Sequence, residues 1–261
     1  MQGKFVFLGT GSSPGVPVIA CECGVCQSSS PYNKRLRSAG LVQVGSKNIL
    51  IDVGPDFRAQ ALNFKIKHLN AVLLTHAHAD HISGMDDLRA YYSLEKKKVL
   101  CFLSQDTFNE VKMRYRYLFE PPQPGKSFSA QIDFQLLPED FGNLEFEGVS
   151  IEYFSYVQQD MKVTGFRFGN LAYVSDIREY TEKLIDAIQG VDILILSALR
   201  NVPTKMHFSI EEAIAFSKRV GAKKTYLTHT GHDLEYAATN ALLPPDVRMS
   251  YDGLELDIQL D

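Results

Sequence analysis

Residues 71–81 of the chain read AVLLTHAHADH, and the rest of the sequence is interpreted from this stretch. The apolar run 71–74 predicts a buried strand, and the six residues that end the stretch contain His76, His78, Asp80 and His81. Imidazole is the commonest metal ligand, and a neighbouring carboxylate suits a hard or borderline divalent cation. The alternative is a polar loop that is rich in histidine by chance. Because this hexapeptide holds three of the chain's seven histidines, we predict a metal site at the end of a strand.

The composition is that of an ordinary globular protein. At 261 residues, with 45% hydrophobic and 22% charged residues, we predict one domain over residues 1–261. A net charge of −4 argues against nonspecific nucleic-acid binding. We expect no membrane span, because no apolar run approaches about 20 residues, and no signal peptide. Four cysteines, three of them close together, predict a reduced, cytoplasmic protein.

The three close cysteines are Cys21, Cys23 and Cys26. Three thiolates at this spacing can converge on one zinc ion, which requires four tetrahedral ligands. The alternative is a redox pair formed by Cys23 and Cys26, but such a pair normally opens a helix in a βαβ unit. Here a serine-rich polar stretch follows. We therefore predict a structural zinc whose fourth ligand comes from elsewhere in the chain.

Other predicted strands also end in polar side chains. Residues 171–175 lead to Asp176, and residues 225–228 lead to His229. If these strands lie side by side, the side chains at their ends form a convergent site. Asp52 ends another strand, and it is either a carboxylate that orients a ligand histidine or an ordinary polar residue. His207 precedes a helix start.

Local signals also predict where this helix starts and where the chain turns. Ser209 and Glu212 predict a capping box at the start of the helix. Gly45-Ser46, Gly169-Asn170 and Asp252-Gly253 predict hairpin turns.

Several motifs in the chain occur in the order found in one family. They are GTGSSPGVP at 9–17, the close cysteines, DVG at 52–54, the hexapeptide, YVSD at 173–176, His207 before a helix, and LTHTGH at 227–232. Together they resemble the metallo-β-lactamase-fold hydrolases, in particular the PhnP-like cyclic phosphodiesterases of phosphonate breakdown. The resemblance implies an α/β (α+β) fold, a four-layer αββα sandwich with its site along one edge of the two sheets.

The resemblance also implies which residues hold metals. His76 and His78 would hold one divalent cation, manganese or zinc. The second cation would be held by Asp80, His81 and His229, with Asp176 bridging both. Cys21, Cys23, Cys26 and His232 match a separate structural zinc site. His207 matches a histidine that protonates the leaving oxygen or binds the phosphate, while Asp80 or Asp176 would orient or deprotonate the attacking water.

One position departs from the family pattern. Another histidine, a ligand of the first metal, is expected a few residues before the strand at Gly165, and Gln158 stands in its place. A glutamine carbonyl is a neutral oxygen ligand that is weaker for zinc. We predict that the first site binds its cation weakly, prefers manganese, or recruits Asp160.

The function predicted is a metal-dependent phosphodiesterase that acts on a small cyclic or linear phosphodiester. The alternatives are an ester or thioester hydrolase on the same scaffold, and a binding or regulatory protein with a degenerate metal site. Action on transfer RNA is not expected, since the chain lacks a basic arm. Residues 120–130, rich in proline, predict a long loop that is either a lid or a domain boundary. The oligomeric state is left open, with a homodimer among the alternatives.

Overall fold

The computed structural model describes residues 1–120 and 129–260. The predicted long loop at 120–130 therefore falls largely outside the described residues. In the described part, fourteen strands form two sheets of seven strands each.

The first sheet combines an antiparallel half with a parallel half. Strands β14, β1, β2 and β3 pair antiparallel, and β3 to β6 pair parallel. In sheet order the strands are β14 (Glu255–Gln259), β1 (Gln2–Gly9), β2 (Ala39–Val44), β3 (Lys47–Ile51), β4 (Ala71–Leu73), β5 (Val99–Ser104) and β6 (Ile132–Leu137).

The second sheet repeats this arrangement. Its parallel half runs from β13 to β10 and its antiparallel half from β10 to β7. In sheet order the strands are β13 (Val247–Met249), β12 (Lys224–Thr228), β11 (Ile193–Ser197), β10 (Leu171–Val174), β9 (Met161–Phe168), β8 (Val149–Gln158) and β7 (Phe141–Phe146).

Helices cover the outer face of each sheet. The helices of the described residues are α1 (Gly24–Gln27), α2 (Phe57–Asn63), α3 (Ala79–Ile82), α4 (Arg89–Glu95), α5 (Gln105–Arg114), α6 (Glu182–Ile188), α7 (Ile210–Val220) and α8 (Tyr236–Leu242). Single turns of 3-10 helix lie at Pro31–Asn33, Met85–Leu88 and Arg116–Phe119. No helix among the described residues is long and apolar enough to cross a membrane.

The alternation of side chains along each strand builds three apolar layers. In β1, Phe5 and Phe7 point into the layer between the two sheets, while Val6 and Leu8 point to the layer beneath α2 and α4. Successive strand residues face opposite sides of a sheet, so both faces of β1 are apolar because both are covered. A third layer packs α6 and α7 on the second sheet. The predicted αββα sandwich is confirmed.

Two of the three predicted hairpins are present. Gly45-Ser46 joins the antiparallel strands β2 and β3, and Gly169-Asn170 joins β9 and β10. The prediction for Asp252-Gly253 is wrong, because this turn leads from β13 in the second sheet to β14 in the first. The carboxylate of Asp252 accepts hydrogen bonds from the Thr10 hydroxyl and the Leu36 amide, and so ties the crossover to the first sheet.

Gly54 brings the loop after β3 against the metal-ligand stretch. A Cβ atom at Gly54 would lie 2.0 Å from the backbone oxygen of Asp80. The amide of Val53 also donates to the carbonyl of His81 at 2.8 Å. The contact fixes α3 next to the end of β3, and only glycine allows it.

We therefore expect Gly54→Ala to lower the free energy of unfolding by about 1–3 kcal/mol, the usual cost of overpacking. Urea unfolding followed by circular dichroism measures the change. Gly24→Ala is the matched control, since no atom of the described residues lies within 4 Å of a Cβ atom there. Equal stability of the two variants would contradict the close approach at Gly54.

Candidate metal centre

The ends of four strands bring the predicted ligands together. Asp52 follows β3, the hexapeptide follows β4, Asp176 follows β10, and His229 follows β12. The two sheets are joined at this edge by the amide of Thr164, which donates to the carbonyl of Thr75 at 2.8 Å. Residues far apart in sequence therefore converge where the two sheets meet.

Three of these strand-end residues have a left-handed backbone. The φ angles are 64° at Asp52, 57° at Asp176 and 56° at His229. Residues other than glycine adopt this region at a cost of roughly 1–3 kcal/mol, and such residues cluster at functional sites. The left-handed residue turns the chain sharply as it leaves the sheet, and the side chain projects from the sheet edge.

The side chains form a compact buried cluster. His76 Nε2 lies 2.9 Å from His78 Nδ1. His81 Nε2 lies 3.3 Å from Asp176 and 3.4 Å from Asp80. His229 Nε2 lies 3.3 Å from each of the same two carboxylates. These side chains form overlapping groups of three that could each hold a metal ion. His76, His81 and Asp176 form one such group, and Asp80, His81 and His229 form another.

This geometry fits a pair of divalent cations. The buried Nε2 of His81 has no hydrogen-bond partner in the part of the chain that the structure describes. A buried polar atom without a partner is rare in native proteins, and an imidazole nitrogen that faces two carboxylates is a typical metal ligand. The donor set of imidazoles and carboxylates suits zinc or manganese.

Asp52 supports two of the histidines. Its carboxylate lies 2.7 Å from His81 Nδ1 and accepts hydrogen bonds from the amide and hydroxyl of Thr75. The Thr75 hydroxyl in turn contacts His76 Nδ1 at 2.9 Å. Of the two readings of Asp52 left open by the sequence, the structure favours the carboxylate that orients a ligand histidine.

Buried charges in the cluster shift one another's pKa. Burial disfavours the protonated form of His81, but the carboxylates of Asp52, Asp176 and Asp80 outweigh burial and raise its pKa well above the ordinary value. Burial likewise disfavours ionised Asp176, yet the imidazoles of His229 and His81 hold its pKa well below the usual range. The lowered pKa keeps the Asp176 carboxylate ionised, as cation binding requires.

His207 lies at the rim of this cluster. Its Nδ1 is 3.3 Å from Asp176 Oδ1, and the amide nitrogen of Gln158 lies 3.1–3.2 Å from its ring nitrogens. Burial lowers the pKa of His207 to about 4, against the opposing charge of Asp176. The imidazole next to the cluster is therefore neutral at pH 7.

Gln158 occupies the space beside the first cation position. Its amide nitrogen donates to Asp176 at 3.2 Å, and its buried Oε1 lacks a hydrogen-bond partner within the described ranges. Asp160, in contrast, is exposed at the β8–β9 turn and belongs to none of the potential metal-binding groups of the described residues. The structure therefore does not support recruitment of Asp160.

The cysteine cluster is completed by His232. His232 Nδ1 lies 3.3 Å from Cys21 Sγ and 3.5 Å from the sulfurs of Cys23 and Cys26. A tetrahedral zinc ion with bonds of about 2.3 Å to sulfur and about 2.0–2.1 Å to nitrogen would separate these atoms by about 3.5 Å. The four side chains fit such a site.

A helix follows Cys23, but it is not part of a βαβ unit, because the strands before and after it, β1 and β2, are antiparallel. Cys23 is the N-cap of the single-turn helix α1, and its sulfur accepts a hydrogen bond from the amide of Cys26. That bond lowers the pKa of the Cys23 thiol to about 6. Both the local topology and the convergence with His232 therefore favour a metal site over a redox pair.

The comparisons with known proteins now decide the family. Residues 47–230 match the model of the beta-lactamase superfamily domain. A crystal structure described as a new diphosphatase from the PhnP family is 34% identical to this chain. It superimposes with a TM-score of 0.92 and covers 100% of this chain and 98% of the other. This chain is a metallo-β-lactamase-fold hydrolase of the PhnP-like type.

Two curated relatives of this hydrolase carry other names. An octanoyltransferase of Porphyromonas gingivalis is 31% identical over 257 residues, which are 97% of this chain but 51% of that protein. The hydrolase thus spans about half of its length. A ribonuclease Z of Azobacteroides pseudotrichonymphae is 25% identical, covering 78% of this chain and 85% of the relative.

Metal content distinguishes the first cation position from the others. After dialysis we expect the hydrolase to keep about two cations, one held by the thiolates and one on the side of Asp80, His81 and His229. Gln158→His adds a nitrogen ligand and is expected to raise retention to about three. Inductively coupled plasma mass spectrometry measures this content.

Gln159→His is the matched control, because the neighbouring residue is exposed and the added imidazole would stand outside the cluster. Two tightly held zinc ions in the unaltered protein, besides the thiolate-bound one, would contradict a weak first position.

Proposed function

We propose that this hydrolase is a phosphodiesterase that acts on a small cyclic or linear phosphodiester. The observation that carries the proposal is the convergence of His207 with the carboxylate and imidazole cluster around Asp176. Clusters of this kind suit phosphoryl transfer, in which positioning and charge stabilisation supply most of the catalysis. The similarity to a diphosphatase and to a ribonuclease Z supports phosphoryl chemistry.

In the proposed mechanism the cluster residues would hold two divalent cations. His76 and His78 would hold the first, Asp80, His81 and His229 the second, and Asp176 would contact both. When bound, the cations would supply Lewis acidity toward the phosphoryl oxygens and toward water.

Side chains of the protein would orient the attacking water and stabilise the departing oxygen. Asp80 is less buried than Asp176, with 7% of its surface exposed against 1%, and it would accept a hydrogen bond from the attacking water. Asp52 keeps the His81 ring aligned through Nδ1. His207 would donate a hydrogen bond to a phosphoryl oxygen or to the departing alkoxide, because even a neutral imidazole carries one N–H.

Hydrolysis of bis(p-nitrophenyl) phosphate with added manganese tests the proposal. Loss of one hydrogen-bond donor to a developing oxyanion costs about 10²–10³-fold, so we expect His207→Ala to lower kcat by about 10²-fold. His68→Ala is the control, because His68 is exposed and lies against the carbonyl of Ser46, outside the cluster.

Two outcomes count against the proposal. Faster hydrolysis of p-nitrophenyl acetate than of the phosphodiester would favour the ester hydrolase. Absence of any hydrolysis, with metals bound, would favour a binding protein.

A cavity beside the cluster indicates what the substrate carries next to its phosphate. It measures about 640 Å³ and extends from His78 and Gln158 across the first turns of α5 to the β8–β9 turn. Asp106, Glu110 and Asp160 line it, and Glu110 pairs with Arg114 at 2.8 Å, which leaves Asp160 as the lining carboxylate without an ion pair among the described residues. Lys162 is the one lysine or arginine among the described residues of the lining, and it is paired with Asp140 at 2.8 Å and with Asp106 at 3.3 Å.

An acidic lining disfavours a leaving group that carries a further phosphate. Like charges about 8 Å apart repel by roughly 0.5–2 kcal/mol at the effective dielectric of a partly exposed site. A diphosphate substrate, the second candidate suggested by the similar diphosphatase, places a second anion next to the first. We therefore propose that the leaving group is uncharged or cationic.

Matched substrates measure this preference. We expect cytidine 2′,3′-cyclic phosphate to be hydrolysed with a kcat/KM about tenfold above that of its 5′-phosphorylated form. Asp106→Asn combined with Asp160→Asn should reduce the ratio to about threefold or less. Asp133→Asn on β6, exposed and outside the cavity, is the control. A higher kcat/KM for the 5′-phosphorylated substrate would refute the proposed leaving group.

A further inference from the structure

A single short segment contributes to both metal-capable clusters. His229 belongs to the carboxylate and imidazole cluster, and His232, three residues later, completes the cysteine cluster. We propose that Arg35 is the positioning residue that fixes this segment and couples the cysteine cluster to the placement of His229. The inference rests on the proposed role of His229 as a ligand of the second cation.

His229 needs such support more than the other histidines of its cluster. Asp52 holds Nδ1 of His81, and Thr75 holds Nδ1 of His76. The buried Nδ1 of His229 has no hydrogen-bond partner among the described residues. Its backbone is also in the left-handed region, with φ of 56°. The ring is therefore oriented by the backbone of its segment rather than by a side-chain partner.

Arg35 is buried against that segment with every donor used. Only 2% of its surface is exposed, and its five N–H groups find five oxygens. These acceptors are Tyr32 O at 3.2 Å, Thr230 Oγ1 at 3.2 Å, Gly231 O at 3.0 Å, Asn33 Oδ1 at 3.1 Å and Leu234 O at 2.7 Å. Three of the five acceptors lie in residues 230–234, immediately after His229.

No other side chain reproduces this arrangement. The guanidinium is a rigid planar fork with five donors, whereas an ammonium has three donors on a flexible stem. Burial lowers the pKa of Arg35 to about 10, so the group remains charged at neutral pH. Removing it would leave the carbonyls of Gly231 and Leu234 without these hydrogen bonds, and the segment would relax toward other acceptors or toward solvent.

The same network reaches the cysteine cluster. Asn33 is fully buried, and its Oδ1 accepts from both Arg35 and the amide of Tyr236. Its Nδ2 donates to the hydroxyl of Ser28, the C-cap of the helix that contains Cys26. The cysteine loop and the histidine segment are therefore held against one guanidinium.

The first sheet anchors the other side of the segment. The amide of Thr230 donates to Thr10 O at 2.9 Å, and the amide of Ser12 donates to Thr230 O at 3.2 Å. The segment 230–234 is therefore hydrogen-bonded to Arg35 on one side and to the backbone of the first sheet on the other. A change in the cysteine cluster would pull on His232 and, through Thr230 and Gly231, on His229.

Cobalt titration of the whole protein tests the coupling. Cobalt bound by thiolates shows sulfur-to-metal charge transfer, which separates the cysteine cluster from the bands of the imidazole and carboxylate cluster. We expect Arg35→Lys to weaken cobalt binding at the latter cluster about tenfold in competition with a chelator. Arg37→Lys is the matched control, because Arg37 pairs with Asp56 and Ser13 instead of the segment.

A double-mutant cycle measures how cobalt binding at the imidazole and carboxylate cluster depends on the cysteine cluster. Cys23→Ser should weaken cobalt binding at the imidazole and carboxylate cluster when Arg35 is present and add no more than about twofold after Arg35→Lys. Equal cobalt affinities of Arg35→Lys and Arg37→Lys would overturn the inference. The inference would also be overturned if Cys23→Ser weakened cobalt binding by the same factor with Arg35 present and after Arg35→Lys.

Two further outcomes separate a failure of the coupling from misfolding of the variant and from a failure of the proposed function. If Arg35→Lys does not fold, Thr230→Val removes one acceptor with little change of shape, and about threefold weaker cobalt binding is expected; unchanged binding refutes the coupling. If the unaltered protein binds no cobalt at the imidazole and carboxylate cluster, the proposed function itself is wrong.

Discussion

The structure depends on the burial of carboxylates at the edge where the two sheets meet. Asp52, Asp80 and Asp176 are 0%, 7% and 1% exposed, and all lie against imidazoles. An ionised carboxylate without a partner costs several kcal/mol to bury, so the site is stable only with positive charge close by. Protonated imidazoles can supply this charge in the metal-free protein, and divalent cations supply more of it. A fold that gathers these groups therefore favours a bound cation.

The backbone conformation around the site brings these side chains together. Left-handed residues at the ends of β3, β10 and β12 turn the chain out of the sheet at Asp52, Asp176 and His229. Each is a conformation that an isolated chain would avoid. The adjacent parallel strands, the glycine contact at Gly54 and the clamp of Arg35 hold these turns in place. The packing of the sandwich thus stabilises strained positions at the candidate metal centre.

Local patterns in the sequence predict those structural features that depend only on residues close together in the chain. The hexapeptide, the capping box of Ser209 and Glu212, and two of the hairpins follow from spacing and turn chemistry, and the structure confirms the capping box and these hairpins. The prediction for Asp252-Gly253 is wrong because a turn dipeptide does not specify which sheet receives the next strand. Arg35 gave no signal at all, since its five acceptors are mostly backbone oxygens up to 199 residues away. The convergence of His232 with the cysteines came from family resemblance and not from spacing.

The side chains proposed to hold the two cations have different neighbours. Around the second, His81 is aligned by Asp52, and His229 is carried by a segment that Arg35 clamps. Around the first, the Thr75 hydroxyl contacts His76, and the amide nitrogen of Gln158 already donates to Asp176. A cation at the first position must compete with that hydrogen bond, or rotate the amide so that its oxygen faces the metal. Neighbouring groups therefore align histidines at both proposed positions, and the Gln158 amide is the contact of the first that a cation would have to displace.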